Sequence, residues 1–168
     1  MESLINKLSS YNIFNYLFPG VVFVVIVEYL TMFSLIQENI LLGLFLYYFI
    51  GLAISRIGSI VVEPILKHTK LLHTAHYSDY IKASKIDDKI DLLSENNNMY
   101  RTLCSSFLLL ILIRIFELIV NVFPVLSNWV AETLVMSLFV LFLLSFKKQT
   151  QYITKRIELC LRKDDLHE

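Results

Sequence analysis

The sequence predicts an all-α integral membrane protein: four transmembrane helices folded as two hairpins, both termini cytoplasmic, with an amphipathic cytosolic loop helix and a C-terminal helix. Three observations lead there. Four apolar runs, 17–36, 40–62, 103–123 and 130–146, take up nearly half of the 168 residues. As helices, each is long enough to cross the ~30 Å hydrocarbon core of a bilayer. The composition is 56% apolar with a mean hydropathy of +0.62. A soluble core holding all four runs would leave too few residues to coat it. The third observation is the placement of Lys and Arg. The links 37–39 and 124–129 contain none, whereas the link 63–102 carries Lys67, Lys70, Lys82, Lys85, Lys89 and Arg101. The tail 147–168 adds Lys147, Lys148, Lys155, Arg156, Arg162 and Lys163. Cytoplasmic segments carry the positive charge, so the long link and the tail belong inside and the short links outside. Residues 1–168 then form a single membrane domain.

The arm 1–16 opens with Leu4, Ile5 and Leu8 at helical spacing, followed by Tyr11, Phe14, Tyr16 and Phe18. Aromatic residues suit the headgroup level, so this pattern predicts a short helix on the inner leaflet that turns into the bilayer at Pro19-Gly20. A first helix that begins earlier and kinks at the proline fits as well. The first run is too long for a cleaved leader and reads as a retained anchor.

The link 63–102 divides in two. Pro64 to His76 is basic and holds His68, His73 and His76, without the Cys or acidic ligands that a metal site requires. Ser78 to Ser94 predicts a helix capped by Ser78, with Ile81, Ile86, Ile90 and Leu93 near one face and a stop at Asn96-Asn97-Asn98. In the tail, Ile153, Ile157, Cys160 and Leu161 form a second apolar stripe. The two stripes either pack on one another or dock on another protein. The exposed charges Lys82, Lys85, Lys89, Lys155 and Arg156 are the expected partner-binding residues. Cys104 and Cys160 fall on the cytoplasmic side, where a disulfide is not expected.

Within the spans, Glu28, Arg114 and Glu117 are placed as an intramembrane charge cluster joining the two hairpins. Charges at that depth cost ~2.5–3.5 kcal/mol each on insertion scales and are generally paired inside a bundle. Arg56 lies near enough to the inner interface to reach it. Gly51, Ser55 and Gly58 share one face of the second span and predict a close-approach surface between copies, with a homo-oligomer, a tetramer, as the expected assembly.

No Gly-rich phosphate loop, HExxH or nucleophile elbow occurs, and every Asp and His lies outside the apolar runs. The sequence therefore predicts no enzyme, no catalytic residues, no cofactor and no metal. A net charge of zero gives no global field for nucleic acid. Three function classes fit: a sensor or anchor holding a cytosolic partner, an oligomeric pore or membrane-disrupting effector, and an accessory subunit of a larger complex. The concentration of extramembrane residues on one side favours the first.

The segment Leu8 to Gly20, which contains Tyr-Asn-Ile-Phe-Asn-Tyr-Leu-Phe-Pro-Gly from Tyr11 onward, resembles small membrane proteins encoded beside bacterial antiphage genes. The four-span plan is similar to the membrane subunits of Kiwa defence systems, and also to four-span accessory proteins beside some CRISPR effectors. The resemblance to Kiwa implies an inner-membrane protein that works with a cytosolic DNA-binding partner and responds to phage attack. It implies no catalytic residue.

Overall fold

The structure is a computed structural model that describes residues 12–164, with side chains over 12–161. The arm residues Leu4, Ile5, Leu8 and Tyr11 lie outside the described residues. The protein is all-α, with four helices long and apolar enough to cross a membrane, and it belongs to the multi-pass membrane proteins. Its helices are α1 (Ile13–Leu30), α2 (Ile40–His68), α3 (Tyr77–Ala83), α4 (Lys89–Val122) and α5 (Val130–Asp164). A 3-10 turn, Pro124–Trp129, joins α4 to α5.

Prolines shape α1 and α2 in the same way. Proline lacks an N–H and its ring crowds the carbonyl four residues back, so the preceding turn widens rather than break. In α1 a π turn, Ile13–Leu17, precedes Pro19. In α2 a π turn, Gly58–Val62, precedes Pro64. The turn expected at Pro19-Gly20 is thus a continuous helix with both residues buried.

The first apolar run, 17–36, does not stay helical to its end. Helix α1 stops at Leu30, where Thr31 adopts an extended backbone and returns both its N–H and its hydroxyl to the Val27 carbonyl. Residues Met32 to Ile36, apolar except for Ser34, continue as a non-helical link. Helix α2 then starts on Asn39, whose side chain accepts from the N–H groups of Leu41 and Leu42.

The link 63–102 also departs from expectation. The helix expected over 78–94 is instead the short α3, a turn at 84–88, and the first residues of α4. Ser78 is not the cap, since His76 stands at that position without a side-chain bond. Asn96, Asn97 and Asn98 lie inside α4, a single helix of 34 residues. The weak helix preference of Asn does not stop α4, and just beyond it Thr102, Ser105 and Ser106 turn their hydroxyls back onto carbonyls one turn earlier, so that these small polar side chains are satisfied within the helix and can be buried. All three are fully buried, which lets α4 approach α2 closely.

The two hairpins do not contribute equally. The core is Phe23, Val24 and Val27 of α1, Ile54 of α2 and Leu110 of α4, with Phe33 and Leu35 of the link packed against it. Only 6% of the apolar window of α5 is buried, so α5 flanks a three-helix core. It touches that core between Leu141, which is buried, and Tyr152. Phe142 stacks on Phe49 at 5.9 Å, and Tyr152 meets Tyr77 of α3 at 5.3 Å.

Gly51, Ser55 and Gly58 serve the inside of the chain, which corrects the expected contact between copies. A Cβ on Gly51 would collide with the Tyr16 carbonyl, and one on Gly20 with the Tyr47 carbonyl. These two glycines are therefore the crossing point of α1 and α2. A Cβ on Gly58 would stand 2.6 Å from the Ser105 hydroxyl of α4. Ser55 is 2% exposed. The face they share is divided between two neighbouring helices of the same chain. In lipid, where no hydrophobic force drives helices together, such small residues permit the close van der Waals contact that does.

Candidate functional site

Two polar clusters sit at opposite ends of the bundle. The first occupies the end from which the short links emerge. Glu117 is 3% exposed. One of its oxygens accepts from the Met32 N–H at 2.6 Å and the other from the Arg114 guanidinium at 2.6 Å. Glu28 accepts from the Ser34 hydroxyl at 3.1 Å and the Leu35 N–H at 3.2 Å. The Tyr47 hydroxyl accepts from the Gln37 N–H. Three helices thus supply the acceptors for a backbone segment that makes no helical bonds. Non-helical backbone at membrane depth persists only where its polar groups are matched in this way.

The structure therefore brings Arg114 and Glu117 together, as the spacing of three residues suggests, but it corrects the place of Glu28. The ion pairs among the described residues include Arg114–Glu117 and none between Glu28 and Arg114. Glu28 falls in the last turn of α1 because that helix ends at Leu30, and its carboxylate turns to the link. Arg114 has a half-exposed side chain, against 4% for Glu117.

The second cluster lies at the opposite, basic end and centres on the π turn of α2. Pro64 explains it. The Glu63 N–H bonds the Gly58 carbonyl in the π register. By the same register the Ser59 carbonyl looks toward residue 64, which has no N–H to give. Lys148 of α5 fills that position. Its ammonium donates to the Ser59 carbonyl at 2.6 Å and to the Ser59 hydroxyl at 2.8 Å, and it stands over the Tyr152 ring. Arg56 donates to the Tyr16 hydroxyl of α1 at 3.1 Å rather than simply reaching for the interface. Arg101 of α4 and Lys67 both pair with Glu63, at 3.0 and 2.7 Å. Three cations therefore each tie α2 to a different helix: Arg56 to α1, Arg101 to α4 and Lys148 to α5.

Composition and spacing alone do not reveal this cluster, because its members come from four elements. One local signal existed: Glu63 and Lys67 stand four apart beside Pro64.

The expected partner-binding residues lie beyond this end. Lys82 is on α3, Lys85 in the turn after it, Lys89 at the start of α4, and Lys155 and Arg156 on α5, all exposed. The two apolar stripes do not cover one another. Ile81 is buried, but Ile86 is 87% exposed, and Ile153, Ile157 and Leu161 remain open. A groove of about 300 Å³ runs between Tyr77 and the Tyr152, Ile153, Arg156 and Ile157 face of α5. The Tyr80 hydroxyl donates to Asp91 at 3.0 Å and so holds α3 against α4. Burial, reinforced by the Asp91 carboxylate, holds that phenol above its ordinary range.

Cys104 and Cys160 are free and exposed. Among the described residues, no group of three or more His, Cys, Asp and Glu side chains is placed to hold a metal ion. No protein-family model, no curated protein and no solved structure matches this chain.

Proposed function

We propose that this protein is a bacterial inner-membrane sensor or anchor, termini cytoplasmic, that recruits or activates a cytosolic effector when the membrane is perturbed, as part of antiphage defence. One observation supports this above the others. Helices α4 and α5 run without a break from the membrane-spanning region into the basic end, and the apolar stripe that α5 carries there is uncovered. At 1.5 Å per residue each helix is ~50 Å long, against a hydrocarbon core of ~30 Å, so ~20 Å of each projects beyond it. A rigid projection couples the state of the bundle to whatever is bound on its stripe. A bias of ~1–3 kcal/mol between two bundle states is enough for such coupling.

The antiphage assignment rests on the resemblance of Leu8 to Gly20 and of the four-span plan to Kiwa-type membrane subunits. Assembly as a homo-oligomer, with four copies expected, belongs to the same proposal and draws on the open apolar faces of α5. The competing reading is an oligomeric pore or membrane-disrupting effector.

The test is co-purification of the full chain with the cytosolic products of its own operon. Replacing Lys82, Lys85, Lys89, Lys155 and Arg156 by Glu is expected to lower recovery of the partner at least tenfold and leave the protein in the membrane. Ion or dye flux through liposomes holding the purified protein alone, together with no operon partner recovered, establishes the pore instead.

A further inference from the structure

The basic cluster holds more cation than its own carboxylate can balance. Arg56, Lys67, Arg101 and Lys148 act on one another's surroundings, and the carboxylate among them is Glu63. Glu63 is already paired with Lys67 and Arg101. Among the described residues the hydrogen-bond partners of Arg56 and Lys148 are neutral, the Tyr16 hydroxyl and the two oxygens of Ser59, and Lys148 feels Glu63 through space as a charge it shares with Lys67 and Arg101. Among the described residues the buried Nε of Arg56 moreover finds no hydrogen-bond partner. Arg56 and Lys148 line a small polar recess together with Ser145, Gln149 and Tyr152.

That recess adjoins a second space. An open cleft of about 580 Å³ lies between α2 and α5, meeting the recess at Ile60 and running along the Leu144, Leu141, Val140 and Met136 face of α5 toward Glu132. The cleft is an open groove rather than an enclosed pocket, and the recess beside it is only about 30 Å³. Depth relates the two parts. Arg56 lies sixteen residues into α2 and Lys148 eighteen into α5, which places both ~24–27 Å from the short-link ends, at the headgroup edge of a ~30 Å core. From there the apolar cleft leads back toward the bilayer centre.

We propose that this composite is a binding site for an anionic phospholipid. Arg56 and Lys148 take the headgroup phosphate at the mouth of the recess, the Tyr152 hydroxyl donates to it, and one acyl chain lies along α5 over Leu144, Val140 and Met136. Basic recesses between membrane helices at the headgroup level suit such lipids, since charge-assisted bonds to phosphate gain from partial desolvation. A soluble phosphate would use the cations but leave the cleft empty. A second copy of the chain could fill the cleft but would not neutralise the cations. The proposal needs only that the protein sits in a bilayer, and it stands whether or not the chain holds a cytosolic partner.

The test is native mass spectrometry of the full chain released from nanodiscs made of phosphatidylglycerol, cardiolipin or phosphatidylethanolamine. Inorganic phosphate is titrated in parallel, and thermal stability is recorded for every variant. The expected result is one retained phosphatidylglycerol or cardiolipin per protomer and none of phosphatidylethanolamine. R56Q with K148Q lowers retention at least tenfold, and K148R preserves it. Ser137, which lines the cleft, is exposed, so S137F fills the cleft without touching the cations and also lowers retention at least tenfold. Should R56Q with K148Q fail to fold, the S137F and K148R pair decides alone. Equal retention of phosphatidylethanolamine overturns the proposal. So does retention unchanged in S137F, or millimolar inorganic phosphate displacing the lipid from wild type and S137F alike. Cysteine crosslinking of Ser137 to α5 of another copy in nanodiscs identifies that copy as the occupant and overturns it too.

Discussion

Glu117 shows how much one side chain can hold in this protein. It is almost fully buried, and its two oxygens serve different ends: one secures the Met32 N–H, the other the Arg114 guanidinium. Removing it leaves a backbone donor unmatched at membrane depth and a cation without its counter-charge. Glu117→Ala is expected to destabilise by about 1–3 kcal/mol, the usual cost of an orphaned buried partner. Glu117→Gln keeps an acceptor for Met32 and loses less. Glu28→Ala also loses less, since its Ser34 partner is exposed. Thermal melts of the three variants in nanodiscs check the order, and a Glu117→Ala melt matching wild type contradicts it. The presence of these charges within apolar runs was legible from sequence, as was the Arg114–Glu117 pairing. The partner of Glu28 was not, because an apolar run reaching Ile36 reads as helix throughout and puts Glu28 near its middle rather than in the last turn. Where Thr31 ends α1 depends on bonds from Glu28 and Glu117 that exist only in the folded chain.

At the scale of elements, the apolar runs announced four helices, and the structure has them. Their breaks and continuations were the obscure part. Pro19 reads as a turn into the bilayer or a kink in a longer helix, yet Pro19 and Pro64 are each accommodated by a π turn, since a lost bond costs less when the next carbonyl can shift register. The Asn96–Asn98 run read as a stop, yet α4 continues through it to the buried Thr102, Ser105 and Ser106. Small residues were recognised as a contact face, but periodicity cannot say whether the neighbour belongs to the same chain. Gly51 answers for α1. Gly51→Ala places a methyl on the Tyr16 carbonyl, and such overpacking costs ~1–3 kcal/mol. Gly43→Ala meets the Tyr47 side chain at 3.3 Å, a contact with a side chain rather than backbone that is relieved by a shift of a few tenths of an ångström. The expected outcome is a lower melting temperature and faster trypsin cleavage for Gly51→Ala, with Gly43→Ala close to wild type. Equal behaviour of the two removes the α1–α2 crossing as the reason for Gly51.

For the whole molecule, the proposed orientation draws on charge. The ends of α1 and α2 and of α4 and α5 meet the other face through links without Lys or Arg, and the cationic cluster gathers at the end that bears the long link. Reporter fusions after Asn39 and Asn128 are expected to read periplasmic, and fusions after Thr74 and Glu168 cytoplasmic. A cytoplasmic signal after Asn39 inverts the scheme.

The mounting of α5 has a mechanical consequence. Its ring and hydrogen-bond contacts with α2 and α3 fall between Phe142 and Tyr152, near the middle of a helix that runs from Val130 to Asp164. At its foot the 3-10 turn ties it to α4, whereas ~18 Å of helix extends past Tyr152 at the basic end. A stiff beam hinged at its foot and braced at mid-length is a lever of the third kind. A small displacement at the brace is enlarged at the far tip, which lies about twice as far from the foot and moves about twice as far.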